Sequence, residues 1–386
     1  MGNNLNQKYL MLSDFNIRSN NRGTAALGYG AIAFLLKKGY IDKNYCFIKY
    51  LFYWNPFKKH PANEETELDI DGLKWKYLKL SVWIVEKWLY KLRWHFFNTP
   101  FRNTIPHLKL IAALNGGDGL TDIYGKRLLE SRLPEMKLGI ELNIPFIVMP
   151  QTIGPFLSET EKSHVMSILK MAKKIYVRDN TFVSELDKNG LLFELSKDLS
   201  YYMQPEAFSI EIHKPCVGIN VSGLAYSNNF GNLKGQFELY PKLMYKLVEL
   251  FQSKGCHVYL IPHSYNINVP ETYNDDMEAT KDFYERVENK KNIHFVDKEL
   301  ISPQVKYLIS QMDFFIGTRM HANFAAIFTQ TPVFGLAYSY KFKGAFEYNG
   351  IYNRTYDVNN LRESEINNLI SMIENAYKED VLSKKA

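Results

Sequence analysis

The 386-residue chain is poor in cysteine, and its Cys46, Cys216 and Cys256 are widely spaced and odd in number. None stands in a Cys-x-x-Cys or zinc-type spacing, so neither a disulfide framework nor a structural zinc site is expected, and buried free thiols are. No apolar run approaches the roughly twenty residues of a membrane-spanning helix. The opening MGNNLNQKYLMLSD lacks a basic segment followed by an apolar run, so no cleaved signal peptide is expected, and Asn6 stands where a myristoylation signal needs Ser or Thr. A cytoplasmic protein is the expectation. The net charge of +6 is too weak to point to nucleic acid, although it suits anionic small molecules or an anionic membrane face. Histidines and acids show no ligand spacing, so no metal is expected.

What is present is short apolar strands alternating with helical patterns, the mark of βα units on a parallel sheet. Strands are expected at 9–13, 108–114, 146–150, 174–177 and 191–195. After a polar, proline-bearing linker from Met203 to Pro215 the pattern restarts at 217–221, 257–262, 293–296, 314–317 and 333–336. This predicts an α/β protein of two Rossmann-like doubly wound domains, residues 1–205 and 206–386, facing each other across a cleft in a GT-B-like arrangement. A helix over 363–377 is left unassigned to either domain.

One stretch breaks the rhythm. Residues 73–102 carry seven Lys or Arg against the single acid Glu86, and all five tryptophans fall between Trp54 and Trp94. Read as an amphipathic helix within an aromatic-basic insertion at 52–103, it puts Trp75, Leu78, Val82, Val85, Leu89, Leu92 and Phe96 on one face and Lys76, Lys87 and Lys91 opposite. Two readings stand: peripheral contact with the inner face of a membrane through Leu73–Arg102, or a helix packed on the first domain.

The densest chemical signal is Gly317-Thr318-Arg319-Met320-His321-Ala322, a strand end running into a small-residue helix. Helix amides at such a turn favour an anion, arginine offers a planar fork, and histidine moves protons near neutral pH. Arg319 could instead pair with a neighbouring acid. Gly116, Gly117 and Gly154 read as turn formers that could also let the backbone approach a ligand. Asp118 could orient or deprotonate a hydroxyl, or cap a helix; His263 could line a cleft or be structural; Asp179 reads as a cap beside Arg178.

These blocks carry a resemblance. Gly317–Ala322 followed by Thr331-Pro332-Val333-Phe334-Gly335-Leu336-Ala337-Tyr338 and Lys341 resembles the C-terminal signature of the polysaccharide pyruvyl transferase family. Asn21-Arg22-Gly23, Gly116-Gly117-Asp118-Gly119, Gln151-Thr152-Ile153-Gly154-Pro155, Val177-Arg178-Asp179, and Leu260-Ile261-Pro262-His263 with Asp275-Asp276 follow the family's order. Arg22 lies in a loop that is often more glycine-rich in relatives, and the aromatic-basic insertion is outside the shared pattern.

The resemblance implies transfer of the enolpyruvyl group of phosphoenolpyruvate, a co-substrate and not a bound cofactor, onto two hydroxyls of a sugar. The product is a pyruvate ketal in surface polysaccharide, capsule or exopolysaccharide, on a galactose-type sugar that is free or part of a lipid-linked oligosaccharide. The first domain is then the acceptor side and the second the donor side. His321 is the implied general acid and Arg319 its catalytic neighbour. Arg178, Arg319, Met320, His321 and Lys341 are the implied donor-binding residues. Asn21, Gly116, Gly117, Asp118, Gln151, Gly154, His263 and Tyr338 are the implied acceptor-binding or cleft-lining residues. The competing readings are a nucleotide-sugar glycosyltransferase of the same architecture and a two-domain ligand-binding protein, the latter disfavoured by the missing signal peptide.

Overall fold

A computed structural model describes residues 7–93, 98–339, 341–351 and 353–383, with the side chains of Lys341 and Lys343 outside that description. The chain divides into two compact units: Met1–Phe15 with Leu27–Tyr202, and Asn16–Ala26 with Met203–Ala386. The break at Tyr202/Met203 falls just before the expected boundary, but the grouping of Asn16–Ala26 with the later half was not anticipated. The helix Arg22–Lys37 therefore begins in one unit and continues in the other.

The first unit's sheet contains β1 (Lys8–Ser13), β2 (Tyr45–Tyr53), β3 (Glu64–Ile70), β4 (Leu73–Trp83), β5 (Leu108–Ala113), β6 (Phe146–Gln151), β7 (Lys174–Val177) and β8 (Glu194–Leu195), in the order β3-β4-β2-β1-β5-β6-β7-β8. Every pairing is parallel except β3 with β4. Leu10, Leu12, Ile111, Ala112, Ile147 and Val148 are fully buried, as continuous apolar runs are in a sheet covered on both faces. The strand order reverses between β1 and β5.

The second unit's sheet contains β9 (Cys216–Asn220), β10 (His257–Leu260), β11 (Ile293–Phe295), β12 (Phe314–Gly317), β13 (Val333–Ala337) and β14 (Thr355–Asp357). Its order β11-β10-β9-β12-β13-β14, parallel throughout, is the Rossmann order, with the reversal between β9 and β12. Helix Glu363–Tyr377 settles here: Ile366, Leu369, Ile373 and Tyr377 join Val217, Phe251 and Phe314 in one core cluster. Phe208, Ile210 and Ile212 of the linker pack on the same unit. The three cysteines are free and buried, and among the described residues no His/Cys/Asp/Glu group is arranged to hold a metal ion.

The expected amphipathic helix over 73–102 is corrected. Its first third is β4, joined to β3 through Asp71 (φ 54°) and Gly72 (φ 74°), a two-residue Asp-Gly hairpin turn. Among the described residues of this stretch only Ile84–Lys91 and Pro100–Thr104 are helical, and Phe96 lies outside the described residues. Trp75, on the stripe read as facing either lipid or the first domain, is 1% exposed, and Val82 is fully buried. The lysines are answered by acids: Lys74 by Glu67, Lys76 by Glu65, Lys79 by Glu64, and Lys87 and Lys91 by Glu141. The alternation of aromatic and polar residues that suits a pleated strand prevailed over the coincidental helical spacing.

Candidate active site

In the second unit, β9, β10 and β12 deliver Asn220, His263 and Arg319 to one edge, with Asp276 opening the following helix. Asp276 is fully buried and gathers the strand ends. Its carboxylate accepts from Gly223 N (2.8 Å), Asn220 Nδ2 (3.1 Å), His263 N (3.1 Å) and Ser264 N (3.0 Å). Arg319 donates to it from Nε (3.0 Å) and Nη2 (2.6 Å), and from Nη2 also to the Asn274 carbonyl (2.8 Å). Burial alone would favour the neutral guanidine, but the Asp276 charge and the hydrogen bonds that Arg319 donates to Asp276 and Tyr338 outweigh it and raise the Arg319 pKa. Arg319 is thus an ion-paired residue at the N-cap of helix Met320–Phe328, the pairing with a neighbouring acid that the sequence left open.

His321 stands in the first turn of that helix, where the leading amides lack intrahelical acceptors. Its ring meets Phe324 edge-on at 5.6 Å. Gly23 packs against its other side, so close that a Cβ there would lie 2.5 Å from Nδ1. Asn21 caps the helix at Gly23 N (2.9 Å) and forms a bridge with Ser264, while Arg22 N donates to the His263 carbonyl (3.1 Å). The buried Arg22 guanidinium donates to the carbonyls of Leu300 (2.7 Å), Asn20 (2.9 Å), Ser19 (3.2 Å) and Tyr265 (3.3 Å) and lies over the Tyr265 ring. Its charge is met by dipoles and a π face and, among the described residues, not by a carboxylate.

His263 is buried, and its Nδ1 has no hydrogen-bond partner among the described residues. Burial first, then the neighbouring His321, Arg319 and Arg22, hold its pKa well below the ordinary 6.5, so it is neutral at neutral pH. Met320 packs into the apolar layer under the helix, and Tyr338 closes on Arg319. Lys341 opens a helix, but its side chain is outside the described residues.

In the first unit, Arg178 is also buried and paired: Nη1 donates to Asp198 (2.8 Å) and Nε to Thr152 Oγ1 (3.0 Å). Asp179 accepts from Thr181 N (3.0 Å), a local cap. The Arg178 charge is thus met by Asp198 within its own unit. The glycine turn explains itself by its neighbours: a Cβ at Gly117 (φ 85°) would lie 3.0 Å from Arg178 Nη1, and one at Gly119 would lie 3.1 Å from Arg132 Cγ. Asp118 accepts from the Tyr124 hydroxyl (3.0 Å), and Gln151 donates to the Ala113 carbonyl (3.0 Å) from a fully buried position. Gly154 takes φ 84° in the turn after β6.

Sequence reading missed Asp276 as the hub, Arg22 as a buried cation and Arg132. Asp276 sat in a quoted block, but nothing in the sequence tells which arginine it will meet.

Two α/β units, one with a sheet parallel but for β3 and one parallel throughout, with polar residues gathered at the strands' carboxyl ends, define a GT-B-like enzyme of two Rossmann-like domains. The chain belongs to the polysaccharide pyruvyl transferase family, whose model matches residues 21–340, and it is a transferase. The fold is shared with a structure described as a UDP-N-acetylglucosamine 2-epimerase of Listeria monocytogenes, at TM-score 0.55 and 9% identity, covering 97% of this chain and 90% of that one. A UDP-GlcNAc 2-epimerase of Methanocaldococcus jannaschii aligns at TM-score 0.48 and 9% identity over 95% of this chain and 91% of that one. No curated protein matches the sequence. Among the described residues, no helix is long and apolar enough to cross a membrane.

Proposed function

We propose that this transferase moves the enolpyruvyl group of phosphoenolpyruvate onto two hydroxyls of a sugar, releasing phosphate and leaving a cyclic ketal. The observation that carries the reading is His321 at the head of helix Met320–Phe328, packed on Gly23 next to Arg22, a buried cation with no carboxylate partner among the described residues. An anionic donor is drawn there by the helix amides and by that charge. Imidazolium at His321 gives its proton to the methylene carbon, and C2 becomes electron-poor. A sugar hydroxyl bonds to C2 and loses its proton, phosphate leaves with the C–O electron pair, and the second hydroxyl closes the ring and loses its own proton. Arg319, paired with Asp276 and hydrogen-bonded to Tyr338, holds the turn in shape.

The test is phosphate release from phosphoenolpyruvate by purified protein, matched mole for mole by acid-labile pyruvate on a galactoside or lipid-linked oligosaccharide. Consumption of a nucleotide-sugar with no phosphate released on any sugar would sink the proposal.

A second observation favours an acceptor carried on lipid in surface polysaccharide synthesis. Trp54 (77% exposed), Phe57 (96%) and Trp88 (59%) stand out in solvent near Lys58 and Lys59. Beside them is a cavity of about 360 Å³ lined by Trp83, Leu89, Tyr90 and Arg102 among others. Aromatic side chains interleaved with lysine suit a headgroup layer, and an apolar cavity suits a lipid chain.

A further inference from the structure

At the carboxyl edge of the first sheet, β1 and β5 end side by side where the strand order reverses, the usual place for a ligand in such a sheet. Both strands lead into a left-handed residue that is not glycine: Asp14 (φ 52°) and Asn115 (φ 50°). The Asp14 carboxylate is ion-paired to Arg132, and both side chains are partly exposed. Gly119 leaves the room this arginine needs, since a Cβ there would lie 3.1 Å from Arg132 Cγ, and a Cβ on Gly116 would press on Asp14 Oδ2 at 3.2 Å.

Three polar atoms here have no hydrogen-bond partner among the described residues. Arg132 Nε and Asn115 Nδ2 are unmet donors, and Gln151 Oε1, at the end of the next strand, is an unmet acceptor. Asn115 is otherwise tied to β1, its Oδ1 accepting from the Ser13 hydroxyl at 3.4 Å. Glu135, a turn beyond Arg132, adds a second carboxyl whose pKa is raised, first by burial and then by the Asp14 charge.

This chemistry has a sign. A phosphate or carboxylate needs surplus positive charge and donors only. Here the arginine is neutralised, two carboxyls are present, and donors and acceptors are mixed. Hydroxyls, which both donate and accept, fit such a set. We infer that this edge binds the acceptor sugar through its hydroxyls, with Asp14 accepting a hydroxyl hydrogen and Arg132 as the positioning residue that fixes the carboxylate. The inference rests on the reading of a sugar acceptor, and adds Asp14 and Arg132 to the acceptor side that the family resemblance implies for the first domain.

The test is saturation-transfer NMR on the full chain with methyl galactosides, glucosides and mannosides and no phosphoenolpyruvate. At least one glycoside should show saturable transfer, and Asp14→Asn should weaken its affinity at least tenfold. Asparagine tolerates the left-handed backbone, so the variant should keep the wild-type melting temperature. Arg132→Lys, which keeps the charge but loses the Nε donor, should also weaken binding without moving the melting temperature. Wild-type affinity in both variants, or no transfer from any glycoside to the wild type, overturns the inference. Because phosphate release plays no part in the measurement, glycoside binding that depends on Asp14 in a protein that ignores phosphoenolpyruvate would sink the pyruvyl reading alone.

Discussion

Gly23 has no side chain because His321 occupies the space one would need: a Cβ there would meet the ring at Nδ1, Cγ and Cβ within 2.8 Å. The glycine of the first family block and the histidine of the last are thus one packing unit, although nearly the whole matched region separates them. Gly23→Ala should displace the imidazole and lower phosphate release at least as much as a missing general acid does, about 10²–10⁴-fold. His321→Ala should give the same loss with an unchanged melting temperature. Near-normal turnover in His321→Ala would remove the residue from the mechanism.

Asp276 and Arg319 form a buried pair, 0% and 9% exposed at their side chains. Asp276→Ala should cost about 3–5 kcal/mol, because it strands a guanidinium and several strand-end amides without an acceptor. Urea unfolding reads the change. A loss below about 1 kcal/mol would mean that the hub contributes little to stability.

His263 ties stability to pH. Its folded pKa lies below the ordinary 6.5, so the unfolded chain takes up a proton first as pH falls. The stability it contributes is fully present above 6.5 and is lost as pH drops from there towards the depressed folded value. His294, lowered by burial and by His257 and His213, adds a slope of the same sign. Chemical denaturation between neutral and mildly acidic pH should show stability falling with pH, and His263→Gln should flatten part of that fall. An unchanged slope in the variant would show that His263 is solvated or protonated in the native state.

Trp54 and Phe57 make the membrane reading measurable. Anionic phospholipid vesicles should sediment the wild type, and Trp54→Ser with Phe57→Ser should leave the protein in the supernatant. Equal sedimentation of the two proteins, or none of either, would leave these side chains without a lipid role.

Much of the fold was legible because parallel strands carry continuous apolar runs: Phe146–Gln151 and Phe314–Gly317 stand close to where the pattern put them. The β3–β4 hairpin was not, although Asp71-Gly72 marks its turn; Trp75, Leu78 and Val82 of β4 fell at helical spacing and hid a strand whose charges are answered across the ladder. At the site, the Arg-x-His turn and its helix were readable from strand end and small residues. The pairing of Arg319 with Asp276 and of Arg178 with Asp198 was not, because each joins residues from separate loops. An arginine's charge is visible in a sequence, whereas the acid that cancels it is a product of folding.

The grouping of Asn16–Ala26 with Met203–Ala386 bears on how the protein can be taken apart. The gene has no single cut that yields the second unit whole. A fragment beginning at Met203 would lack the strand-like bridge from Asn21 to Ser264 and the arginine that fills the space over Tyr265. Such a fragment should express as an incomplete domain, and a synthetic peptide spanning the missing stretch should complement it in trans. Any dissection, circular permutation or chimera must carry both pieces of coding sequence together.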